Sequence, residues 1–376
     1  MLSKLKKSLS RHITNIPGWR TDRKIVVIES DDWGSIRMPS KQVYEKCLRA
    51  GYPVDETAYE RYDSLASETD LEFLFDLLIS FKDSMGRPPV ITANALTSNP
   101  EFEKIKSSGF ETYVYESIEK TFEAYPEHSK CLKLWKEGME EGIFFPQSHG
   151  REHLNVSMFM NALQKDDKDA QFGFDLKMPG CIPHGKPARG NEYVAALLYD
   201  DIKDKEEKLS IVLEGLELFE TLFGYRSKTF IPPNYKWSPN FNEQMAQNGV
   251  LFFQGNRKMA EPQPGGKKRI HRYYLGEENE FGQTYLVRNA RFEPSLSNNR
   301  SESVDYCLSE LSAAFRMKKP AIICSHRINY VGFIDEINRD INLRLLDELL
   351  KRITSRWPDV EFMNSVELGE IISKQS

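Results

Sequence analysis

Cysteine is scarce in this 376-residue chain, and its five copies (Cys47, Cys131, Cys181, Cys307, Cys324) are scattered with no Cys-x-x-Cys pair. This argues against a disulfide scaffold, and a reducing compartment or simple core cysteines is the better reading. Long apolar runs are missing too: none approaches the ~20 residues of a membrane helix. Residues 1–19 are basic but lack the ~7–15-residue apolar stretch of a secretory signal, so a cytoplasmic location is expected. Leu2, Leu5 and Leu9 can line a short basic helix packing on the body; membrane-surface docking is the weaker alternative, with no bulky anchor before Trp19. An excess of positive charge is also absent. Lys+Arg 51 against Asp+Glu 56 leaves −5, with a pI near 5.9, which argues against nucleic acid as a partner. There is no repeat of 20–50 residues and no low-complexity tract.

What is present is material for a large core: 40% apolar, 28% charged and 11% aromatic residues. The length suits one elaborated α/β domain as well as two smaller ones. Short apolar runs alternate with longer amphipathic segments, the rhythm of strand–helix units around a mostly parallel sheet. Strands are expected at 25–28, 90–93, 143–145, 229–231, 250–253, 321–324 and 361–363, with a weaker one at 110–114. The 3.6-residue period predicts helices over 70–81, 204–223 (ending at Gly224) and 341–353. Residues 270–274 and 284–288 read as the two arms of an inserted hairpin, and 177–190 as a Gly/Pro loop. Segments 35–89, 154–200 and 256–300 lack the rhythm and are expected to be insertions on a single catalytic domain spanning 1–376.

Three of the expected strands end in residues able to do chemistry. The first runs into Asp31-Asp32, and α/β folds build their sites at strand C-termini. One carboxylate could bind a metal while its neighbour serves as base. Alone, the pair is more often a turn or helix cap. After 143–145 comes Ser148-His149-Gly-Arg-Glu-His153. On one helical turn, two His four apart share a face and suit one metal, although a pair of surface histidines has the same spacing. Two imidazoles plus a carboxylate leave an open position for water. Glu152 directly precedes His153, so the HExxH spacing is not met. His326 closes the strand at 321–324, in position for a general acid or a loop cap. Lys267-Lys-Arg-Ile-His-Arg272 reads as a solvated hairpin face rather than a polyanion site. Trp33, Tyr235 and Trp237 could stack on sugars but are as often packing. His184 and Lys186 belong to a polar loop.

Together these motifs resemble those of the polysaccharide deacetylases of the NodB-homology type, carbohydrate esterase family 4. Asp31-Asp32 matches the first motif, His149-Gly-Arg-Glu-His153 the second, Ile231-Pro-Pro-Asn-Tyr235 the third, and Ser325-His326 the fifth, in order along residues 24–370. The resemblance implies a distorted (β/α) barrel with helical and hairpin insertions, and removal of acetyl groups from a carbohydrate. Asp32, His149 and His153 would hold a divalent metal, zinc first and cobalt or nickel next, with Asp31 as base and His326 as acid. Two departures stand out. Ile231 replaces the family's Arg, which holds the base carboxylate, and Gln254-Gly-Asn256 stands where an Asp-Trp element orients the acid His. Arg151, Arg189, Arg291 and Arg327 are candidates for the missing Arg. A degenerate barrel that binds a glycan without turnover is the alternative, and a metal-free glycoside hydrolase with two separated carboxylates ranks last.

Overall fold

The uninterrupted run Ile25-Val-Val-Ile28 forms the middle of β1 (Lys24–Trp33), buried along nearly its whole length. The other strands of the main sheet are β2 (Ile91–Ala95), β3 (Phe144–Ser148), β4 (Thr229–Phe230), β5 (Phe252–Gly255), β6 (Thr284–Val287), β7 (Ala290–Arg291), β8 (Ala321–His326) and β9 (Val360–Met363). They appear in a computed structural model that describes residues 15–180 and 192–374. The expected helix at 2–9, and Cys181, His184, Lys186 and Arg189, lie outside the described residues.

The nine strands pair in parallel throughout, in the order β6-β5-β4-β3-β2-β1-β8-β7, with β9 beside the first half of β1. β6 ends at Val287 on one edge of the sheet and β7 begins at Ala290 on the other. Only Arg288 and Asn289 join them. The Arg288 N–H donates to Gly255 O on β5 (2.9 Å) and the Asn289 N–H to Ile322 O on β8 (3.2 Å). The two edges therefore meet through this link, and the sheet curls into a distorted barrel.

Alternation along β1 sorts its side chains onto two cores. Val26 and Ile28 join Ile91, Ala93, Ala321 and Ile323 in one cluster; Ile25 and Val27 join Phe230, Phe253, Ile322 and Met363 in the other. Covering helices include Glu68–Ile79, started by a Ser67/Asp70 capping box, Ile202–Phe223, stopped by Gly224 at φ 77°, and Glu336–Arg356. The segment 35–89 adds helices Lys41–Arg49 and Ala58–Tyr62, and 154–200 adds Val156–Gln164 and Lys168–Asp175. No helix of the described residues is long and apolar enough to cross a membrane.

Two expectations are corrected. Residues 110–114 are not a strand: Gly109 and Phe110 take positive φ (65° and 64°) in a turn, and the strand is Tyr115–Ser117, paired with Ser98–Pro100. The inserted hairpin pairs Lys258–Gln263 with Lys267–Arg272, turning at Gly265 and Gly266, both left-handed. Residues 284–287 are instead a sheet strand, and all four are buried, as a parallel strand covered on both faces requires.

Candidate active site

Successive strand residues point to opposite faces, so adjacent aspartates should diverge. They do not here. The β1–β2 register slips between Ser30 and Trp33, and Asp32 adopts φ 75°, a left-handed conformation costly for a residue with a Cβ. Both the N–H and the hydroxyl of Ser35 donate to Asp32 O (3.4 and 3.1 Å), holding the turn. Asp31 and Asp32 thus line one cavity of about 560 Å³, together with His149, His153 and His326. In the ladder Asp31 sits directly beside His326.

His149 and His153 converge without the expected helical turn. They lie in an irregular loop after β3, shaped by Gly150 at φ 111°. Helix Ile202–Phe223 presses on that loop at Gly215, where a Cβ would stand 2.6 Å from the Arg151 backbone N. The two Nε2 atoms each lie 3.4 Å from Asp32 Oδ1. His149 Nδ1 is 2.8 Å from Ile231 O, which fixes the proton on Nδ1 and frees Nε2 as a donor of electrons. Burial pushes His153 down to about 3 against the opposing pull of Asp32, so its ring is neutral. Burial disfavours the Asp32 charge, but the imidazoles of His153 and His149, together with His326 and Arg37, outweigh it and hold this carboxyl well below the usual range. Two imidazoles and an ionised carboxylate, their ligand atoms within 4.8 Å of one another, are a donor set that fits a zinc-like divalent cation.

The two positions that depart from the resembled motifs are filled from an unexpected place. Arg288, on the link that closes the barrel, grips Asp31 with a fork: Nη2 to Oδ1 at 2.6 Å and Nη1 to Oδ2 at 2.7 Å. Its Nε bonds Glu29 Oε2 at 2.6 Å, and Asn94 adds a 2.7 Å bond to Asp31 Oδ1. Against the cost of burial, the guanidinium holds Asp31 down to about 2. Glu293, just past β7, takes His326 Nδ1 at 2.5 Å and is itself held by Asn329 (2.6 Å). Burial opposes the charge on His326, but Glu293 and Asp31 overcome it and raise the imidazole well above its ordinary value. His326 Nε2 points back to Asp31 Oδ2 at 3.6 Å. Neither Arg288 nor Glu293 stands out in the sequence reading. The available signal was the one that marked the other residues, since Arg288 directly follows an apolar strand. Of the arginines suggested, Arg151 pairs with Glu152 and Glu214, Arg291 stacks on Tyr306 and Arg327 binds Asp63. None of these three reaches Asp31.

Trp33 and Trp237 are buried core residues, whereas Tyr235 lines the cavity and accepts a 2.9 Å bond from Arg288 Nη1. Arg37, from the segment after β1, reaches the same cavity and faces Asp32, Glu60 and Asp63.

No family model and no curated protein matches the sequence. Solved structures do. One from Parabacteroides distasonis, bearing a provisional glycoside hydrolase/deacetylase name, superposes at TM-score 0.51 with 10% identity, over 95% of this chain and 72% of its own. The chain shares that structure's distorted (β/α) barrel fold. Weaker likenesses include a provisionally named polysaccharide deacetylase from Mycobacterium smegmatis (TM-score 0.43, 10% identity, 96% and 93% covered). A Puue allantoinase stands at the same level (0.43, 12%, 94% and 93%).

Proposed function

We propose that the protein is a metal-dependent hydrolase that removes acetyl groups, N- or O-linked, from a carbohydrate. One observation carries this reading: two oppositely tuned proton-transfer groups, each with its own buried partner, border an Asp-His-His cluster in a single cavity. Asp32, His149 and His153 are the residues that would hold the cation. When bound, a divalent ion polarises a carbonyl and lowers the pKa of water. Asp31 is ionised at neutral pH and accepts the water proton at Oδ2, which takes only one strong hydrogen bond, from Arg288. Arg288 and Asn94 keep that carboxylate aimed and Arg288 keeps it charged. His326 is protonated at both nitrogens: Nδ1–H goes to Glu293, and Nε2–H is delivered to the leaving amine or alkoxide as its bond to the acetyl carbon breaks. Acetate and the freed hydroxyl or amino group are the products.

The glycan-binding alternative without turnover draws on the missing Arg and Asp-Trp, and Arg288 and Glu293 supply both functions. The test is hydrolysis of a panel of acetylated oligosaccharides before and after chelation, with zinc, cobalt or nickel added back. Activity lost on chelation and restored by metal is expected. Full metal content with no turnover on any member would overturn the proposal.

A further inference from the structure

Immediately beyond the cavity the chain carries an unbalanced positive strip. Asn234 and Tyr235 line the cavity, and Lys236 follows them. Lys236 bridges to Ala260 of the hairpin, and the Trp237 N–H donates to Ala260 O at 3.0 Å. Cross-strand partners share a face. Lys236, Ala260 and Ile270 therefore lie in a row, flanked on the same face by Lys268 and by the Lys258/Arg272 pair. Lys258, Lys268 and Arg272 are exposed and Ile270 is 44% exposed among them. The hairpin's one carboxylate, Glu261, is on the opposite face, buried and bonded to His271 at 2.9 Å. Among the described residues no carboxylate pairs with Lys236, Lys258, Lys268 or Arg272. Burial and the Lys268 ammonium both press Lys236 downward, as expected of cations crowded without counter-charge. In a chain of net charge −5, four unpaired cations on one face beside a site mouth are not an average surface.

We propose that this face is a docking strip for the anionic groups of the glycan whose acetyl group enters the cavity, so that the substrate is an acetylated glycan bearing carboxylate or phosphate. This rests on the deacetylase reading above. From residue 268 to 272 the strip runs ~13 Å at ~3.3 Å per residue, long enough to lie along two or three sugar units.

The test compares O-acetylated oligogalacturonates with the same oligomers whose carboxylates are methyl-esterified, using the full chain loaded with zinc. The acidic oligomers should show the lower KM, rising with salt, while the esterified ones show little salt dependence. Lys236→Gln/Lys268→Gln should raise KM for the acidic oligomer roughly four- to twenty-five-fold, at about two- to fivefold per exposed charge. Its kcat, and both constants for the esterified oligomer, should stay unchanged. Lys258→Gln/Arg272→Gln should act the same way, which guards against a local folding defect in the first variant. A phosphate-bearing acetylated glycan with an equally low KM supports the strip and assigns the anion. Equal KM for acidic and esterified oligomers, or tighter binding of a DNA oligomer of equal charge, would overturn it. If no acetylated glycan is turned over, the deacetylase reading alone fails. Calorimetric binding of non-acetylated polygalacturonate then decides the strip: loss in the variants supports it, unchanged binding sinks it.

Discussion

At the scale of single residues, the site is two charge pairs of opposite sense. Arg288 makes Asp31 a carboxylate that stays ionised, and Glu293 makes His326 an imidazolium that stays protonated. The pH consequences follow from the directions. Asp31 must be ionised, so activity falls as pH drops through its depressed value. Arg288→Lys keeps a charge but loses the planar fork, so Asp31 should rise and the acid limb of the kcat profile should move to higher pH. A misaimed base also costs rate, so kcat should drop ~100-fold while metal content measured by elemental analysis stays full. His326 behaves in the opposite way: its folded value lies above 6.5, and the acid function is lost as pH rises through it. Glu293→Gln removes the anion that raises it, so the alkaline limb should shift to lower pH. An unshifted alkaline limb in that variant would rule out Glu293 as the partner that sets the acid. The stability held in the Glu293–His326 pair runs the same way: complete below about 6.5, fading as pH climbs through the folded value.

At the scale of elements, the metal-type cluster depends on a backbone contact rather than on a helical repeat. Gly215 lets helix Ile202–Phe223 lie directly on residues 150–151, and so sets where His149 and His153 point. Gly→Ala inside a helix is ordinarily worth ~1 kcal/mol of stability. Here a Cβ 2.6 Å from a backbone nitrogen must move the loop. Gly215→Ala is therefore expected to weaken zinc binding at least ~10-fold, in line with losses seen when ligand supports are disturbed, as read by competition with a chromogenic chelator. Wild-type affinity would mean that the helix does not position the ligands. The sequence shows the candidate ligands but not this support, because a mid-helix glycine has no pattern of its own. The same limit explains the hairpin. Short, largely apolar runs reveal strands buried on both faces, so 25–28, 90–93, 229–231 and 321–324 were legible, and the rim residues with them. Pairing is a long-range property. Nothing local in Thr284–Val287 says that it lies beside β5 rather than beside 270–274, and with that strand misplaced Arg288 was invisible as a site residue. The divergence of neighbouring side chains in a strand gave no warning either that Asp31 and Asp32 would face one cavity; the left-handed Asp32 is a tertiary feature.

At the scale of the whole molecule, closing the sheet is what makes the site. A flat sheet would leave β6 and β7 at opposite edges, whereas the curled one brings the ends of β1, β3 and β8 and the 288–289 link to a common rim. The fold does not need a cation to close: the barrel is held by two large apolar clusters, and the Asp32-His149-His153 group lines the cavity. This separates metal binding from folding, unlike a small zinc domain that is unfolded without its ion. The chelated protein should retain its circular dichroism and melt cooperatively. Zinc at ~1,000 times its Kd should add ~4 kcal/mol. With an unfolding entropy near ~2.1 cal/mol/K per residue over this length, that corresponds to a rise of ~5 °C in Tm. His153→Ala should melt close to the chelated wild type, because a rim imidazole is replaced rather than a packed core side chain, and added zinc should move it by less than ~1 °C. Asp31→Asn should bind zinc and show the full shift, yet hydrolyse nothing. A full thermal shift in His153→Ala, or none in Asp31→Asn, would show that the ligands and the base have been assigned the wrong way round.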